Sequence, residues 1–159
     1  MADLSRFLPL SRRPEEDESG VDRDVAGELR VVLSALLVAR AEDGPDAPAL
    51  VALADRLTPG TTGDARTRLL AVTEGAGRRS VAELGEVVLV ASDAGLPLEA
   101  EVTAMVVVHR TTKAPQEIRR AVRGRTLIAA DAGWRVGHGP EIVASAADLV
   151  GLVYGRPLP

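Results

Sequence analysis

Few side chains in this sequence carry groups that react or ligate: two histidines, His109 and His138, with Asp131 between them, and a run of cations from Arg110 to Arg125. Two imidazoles and a carboxylate are the donor types of a catalytic zinc site, which needs three protein ligands held by hydrogen-bonded neighbours. The spacing matches no HExxH or other helical ligand pair, so no metal ligand is assigned. His109, close to the end of an apolar helical face, reads more simply as a cation beside a helix C-terminus. Serines occur without a G-x-S-x-G elbow, and neither histidine has a serine and an acid in a family arrangement. The acid pairs Glu83 with Glu86 and Glu99 with Glu101 read as exposed helix charge. No catalytic residue and no cofactor follow from these patterns.

The strongest local charge signal is the stretch 110–125, where Arg110, Lys113, Arg119, Arg120, Arg123 and Arg125 face one acid, Glu117. Arg119 and Arg123 stand four apart and share a helix face, so they could grip an acidic protein surface or a phosphate. The simpler reading is a solvated face paired with the chain's own acids, among them the "PEEDE" stretch near the start. "GWRVGHGP" is rich in glycine but lacks the Lys-Ser/Thr of a P-loop and ends in proline, so it reads as turns. Trp134, the sole tryptophan, is expected to cover an end of the core with its indole N–H on a carbonyl. Trp134 and His138 are the residues of an alternative small-ligand site.

Those groups must be positioned by a chain of 159 residues, enough for one domain with a sizeable core. Hydrophobic residues make up 46% of it and aromatics 2%, so the core must be built from Ala, Val and Leu, and stacking of nucleobases on rings is nearly excluded. A net charge of −4 gives no general attraction to nucleic acid or to anionic membranes. The chain has no cysteine, which removes disulfides and thiolate chemistry. The stretch "FLPL" is too short for a signal segment or a membrane span. A cytoplasmic protein is therefore expected, and the preference for Arg over Lys together with the alanine load suggests a bacterial, GC-rich coding sequence.

Residues 1–21 hold Pro, Gly, Ser and opposing charges without apolar periodicity, the composition of a disordered tail. Within them Leu4, Phe7, Leu8 and Leu10 form an apolar cluster that could act as a docking peptide. From residue 22 to 159 a single helical domain is expected. Val25, Leu29, Val32, Leu33, Leu36 and Leu37 make one stripe of a long helix. A second helix starts near Pro48, with Leu50, Leu53, Ala54 and Leu57 inward. Asp64 or Thr62 caps a third, with Leu69 and Leu70 inward. Ser80 with Glu83 forms a capping box for a fourth, which Gly95 closes. Residues 98–109 favour a helix over a strand, in spite of their valines. Pro115 to Gly124 bound a sixth helix with Ile118 and Val122 inward, and Ser145 caps a last one whose inward residues are Leu149, Leu152 and Val153. Between them "RTLIAAD" and "WRVG" read as a small β hairpin. Val107 and Val108 are left over on the fifth helix, and an extra apolar face of this kind points to self-association.

The closing segment, residues 125–159, resembles that of mycothiol-dependent maleylpyruvate isomerase-like proteins of the DinB-like superfamily. The resemblance is carried by Ala130, Asp131, Trp134, Gly139, Pro140, Glu141, Ala147, Leu149, Gly155 and Arg156. It implies a β ribbon leading into a packed terminal helix. That family carries metal-binding histidines in an N-terminal bundle, whereas no histidine precedes His109 here, so no catalytic residue carries over.

The expectation is thus a mainly α, compact bundle of about six or seven helices with a small C-terminal β hairpin, or α+β should the fifth helix be a strand. Its expected role is a non-catalytic interaction or accessory domain that contacts another protein through Leu4, Phe7, Leu8, Leu10, Arg119 and Arg123. The alternatives are a small enzyme or ligand-binding protein using Trp134 and His138 on an anionic substrate, and nucleic-acid binding through residues 110–125.

Overall fold

The computed structural model describes residues 23–44 and 47–159. In chain order they form α1 (Ala26–Ala39), α2 (Pro48–Leu57), α3 (Ala65–Glu74), α4 (Val81–Asp93), α5 (Ala100–Lys113), α6 (Gln116–Val122), β1 (Thr126–Ala129), β2 (Arg135–Gly137), β3 (Glu141–Ala144) and α7 (Ala146–Val153). The result is a mainly α bundle with a small C-terminal β element. The sequence cluster Leu4, Phe7, Leu8 and Leu10 lies outside the described residues.

At the centre stands α4. Its run "LGEVVLVA" is apolar almost all round, and Leu84, Gly85, Val87, Val88, Leu89, Val90 and Ala91 are all buried. A helix without a polar face has to be enclosed on every side. Accordingly α1, α2, α5 and α7 each pack against it. Its start is set by the capping box: the Ser80 hydroxyl accepts from the Glu83 N–H, and the Glu83 carboxylate accepts from the Ser80 N–H at 2.8 Å. Gly95 takes the left-handed conformation, φ 68°, just past the end.

Around this axis the core is aliphatic, with Leu29, Leu33 and Leu36 of α1, Leu50 and Leu53 of α2, Leu69 of α3, Leu127 of β1 and Leu149 of α7 fully enclosed. Each such leucine contributes roughly 1.5–3 kcal/mol relative to an exposed one. Two inward assignments change. Leu70 is 42% exposed because only one side of α3 meets α1 and α2, and Leu69 takes the inward place. Val107 is fully buried, so of the two valines left over on α5 only Val108 faces solvent. Residues 98–109 contribute to a helix rather than a strand: the valines serve both α4 and α7, which flank α5.

The C-terminal element contains the expected hairpin, with β1 antiparallel to β2, and a third strand beyond it. β3 returns to the other edge of β1 in parallel register, Leu127 opposite Ile142, giving the order β2-β1-β3. The return is tight enough that a β-carbon on Gly139 (φ 118°) would collide with the Gly124 carbonyl. The Asp131 carboxylate then accepts from the Ala146 N–H at 2.7 Å, and Ser145 accepts from the Asp148 N–H at 3.1 Å, so two side chains cap α7.

Candidate functional site

Pro115 sets the local geometry of the basic segment. It lacks an N–H and holds an extended ψ of 152°, so α5 stops at Lys113 and α6 begins in a new direction at Gln116. Ala114 and Val122 are buried and anchor the corner to the bundle, while Arg119, Arg120 and Arg123 are exposed. The last turn of α5 and one side of α6 enclose a cleft of about 560 Å³, lined by Thr111, Thr112, Gln116, Arg119, Arg120 and Arg123 over a floor of Val122.

The other arginines of the described residues are engaged. Arg23, Arg40, Arg56, Arg68, Arg79, Arg135 and Arg156 form ion pairs with carboxylates. Arg66 donates to the Leu37 and Arg40 carbonyls and so closes the C-terminus of α1, and Arg30 does the same for α3 through the Thr73 and Gly75 carbonyls. Arg110 lies over the Tyr154 ring, 4.2 Å from its centre. Arg78 also has a partner. By contrast Lys113, Arg119, Arg120, Arg123 and Arg125 have neither an ion pair nor a side-chain hydrogen bond among the described residues. Unpaired cations are thereby concentrated in one corner of the molecule.

His138 lies beside this corner. It is exposed and lines a small cleft of about 190 Å³ together with Thr111, Val122 and Arg125. Because Thr111 and Val122 line both clefts, the arginines and His138 border one continuous surface. Trp134 is not part of that surface. Its indole N–H donates to the Thr103 hydroxyl, 2.9 Å away on the α5 side of the sheet, and the acceptor is a hydroxyl instead of the expected carbonyl. His109 lines a different, open face of α5 with Met105 and Val108. Among the described residues no three His, Cys, Asp or Glu side chains are grouped closely enough to hold a metal ion. Asp131, between the two histidines in sequence, is committed to capping α7.

Arg119 and Arg123 are therefore brought together, and the structure adds Thr111, Thr112 and Gln116, which sequence reasoning did not single out. Their polarity alone carries no signal on a helix end. A second feature also escaped the sequence reading. On α1 Gly27, Val31, Ala35 and Val38 follow a helical spacing on the side opposite the core stripe, and Val31 and Val38 are 65% and 74% exposed. A search for a second apolar stripe would have revealed it.

No helix among the described residues is long and apolar enough to cross a membrane. Compared with protein-family models, with curated proteins and with solved structures, the chain matches none.

Proposed function

We propose that this chain is a non-catalytic interaction domain whose α5–α6 corner binds an acidic segment of a partner protein. The supporting observation is the concentration of unpaired cations: in a chain of net negative charge, the arginines of the described residues have partners except at this corner, where Arg119, Arg120 and Arg123 line the cleft. Guanidinium groups are weakly hydrated planar donors, suited to carboxylates in bidentate geometry. Gln116 supplies a neutral hydrogen-bonding group beside them, while the hydroxyls of Thr111 and Thr112 donate to the Val108 and His109 carbonyls of α5. Leu4, Phe7, Leu8 and Leu10 would add an apolar contact to such a partner.

The test uses the full chain and a decaglutamate peptide. Binding should weaken steeply with salt and fall roughly tenfold or more when Arg119→Gln and Arg123→Gln are combined, while the melting temperature stays unchanged, since both side chains are exposed. Peptide binding that ignores both substitutions would overturn the proposal. A duplex DNA oligonucleotide that binds more tightly than the peptide at equal salt would replace it with nucleic-acid recognition.

One observation favours a second reading, a small anionic ligand: His138 and Arg125 continue the surface of the arginine cleft. In that case inorganic phosphate should compete with the peptide, and His138→Ala should relieve the competition. Trp134 has no part in this version.

A further inference from the structure

α1 and α5 both pack on α4, and the gap left between them is an apolar groove of about 400 Å³. Its walls are Gly27, Val31 and Ala35 on one side and Leu96, Pro97 and Leu98 on the other, with Val32 and Val102 at the floor. Among the described residues the charged groups on it are two acids, Glu28 and Glu99. Val31 leaves most of its side chain in water there, an arrangement that gains from being covered.

We propose that this groove is the docking site of the chain's own segment Leu4–Leu10. Three observations select this occupant. First, the described chain begins at the rim of the groove: Arg23, which also borders the open face of α5, pairs with Glu28, a rim residue, at 3.2 Å. Second, the reach is sufficient. Twelve residues separate Leu10 from Arg23, and an extended chain covers up to about 3.3 Å per residue, on the order of 40 Å, whereas the α1 wall from Gly27 to Ala35 is only about 12 Å long. Third, the chemistry is complementary. The segment offers Leu4, Phe7, Leu8 and Leu10, including the chain's only phenylalanine, and of the charges within and beside it Arg6, Arg12 and Arg13 are opposite in sign to Glu28 and Glu99, against one acid, Asp3.

The covalent link raises the local concentration of the segment, so a modest intrinsic affinity is enough to keep the groove filled. A partner that takes Leu4–Leu10 must first draw it out of the groove, which makes the segment's availability a regulated quantity. This holds whether or not the arginine cleft binds an acidic partner.

Because the chain has no cysteine, disulfide trapping reports the contact cleanly. Ser5→Cys and Ser11→Cys, which leave the apolar residues in place, are each combined with Ala35→Cys in the groove wall, or with Thr112→Cys on the open α5 face that Arg23 also borders. At least one pair with Ala35→Cys should close within the monomer roughly tenfold faster than its Thr112→Cys counterpart, and adding Val31→Glu should remove the difference. In the cysteine-free chain Phe7→Asp with Leu8→Asp should speed amide exchange across Leu96–Val102. Equal closure at both positions, closure between chains, or exchange that ignores the Asp substitutions would each overturn the proposal.

Discussion

The indole N–H of Trp134 reaches 31 residues back along the chain to the hydroxyl of Thr103, a fully buried threonine in the second turn of α5. That hydroxyl in turn approaches the Ala100 carbonyl at 3.0 Å. The chain's only indole therefore fastens the small sheet to the bundle, and its N–H is satisfied in the same contact.

Removing either partner should be costly, and removing both less than the sum. Trp134→Phe should lose about 1 kcal/mol for the bond, and Thr103→Val, which strands an indole N–H, about 1–3 kcal/mol. The double variant should recover a coupling energy near 1 kcal/mol in urea unfolding. Strict additivity of the two single changes would mean that the bond does not join the sheet to the helices.

Gly85 permits a close approach in the core, since a methyl there would collide with the Tyr154 hydroxyl. Gly85→Ala should therefore destabilise by about 1–3 kcal/mol even though alanine is the better helix former. Among the described residues the Tyr154 hydroxyl has no hydrogen-bond partner, so Tyr154→Phe alone should be neutral or slightly stabilising. Combined with Gly85→Ala, it should restore most of the lost stability, because the remaining ring carbon would lie 3.5 Å from the new methyl. Thermal melts of the three variants read this directly, and no rescue in the double variant would place the strain elsewhere.

Tyr154 also sets a dependence on alkaline pH. Burial, and next the charge of Glu86, push its phenol up to about 12, against the opposing pull of Arg110 and Arg56. The folded state thus holds its proton more tightly than the unfolded chain, whose tyrosine titrates near 10. Its contribution to stability is complete below pH 10 and is lost as pH rises through about 12. With a single tyrosine in the chain, tyrosinate absorbance in native buffer should rise at distinctly higher pH than in urea. Tyr154→Phe should lessen the fall of stability over that interval, and coincident titrations in buffer and urea would contradict the burial of this ring.

How much could be read beforehand differs from element to element for a physical reason. The helix starts at Ser80, Asp64 and Ser145 depend on bonds across three residues, so local residue types were enough to place them. The strand β3 was not foreseen, because its pairing with β1 joins residues fifteen apart in a register that a hairpin signal does not describe. Leu69 and Leu70 are equivalent in composition, and only the packing of α3 on α1 and α2 separates the buried from the exposed one.

The candidate surfaces divide in the same way. Spacing alone put Arg119 and Arg123 on one face of a short helix, since i and i+4 meet by helical geometry wherever the helix goes. That the cations of this corner remain unpaired while the other arginines of the described residues find partners depended on the whole fold, because partners such as Asp93 for Arg156 and Glu86 for Arg56 come from distant elements. The groove between α1 and α5 is likewise a product of assembly: the Val31 stripe was present in the primary structure, but whether it would be covered depended on how far apart two helices stand on a third. Local bonding rules and helical periodicity act within a few residues and could be read in the order of amino acids. Burial, pairing and concavity are properties of surfaces that meet only once the chain has packed.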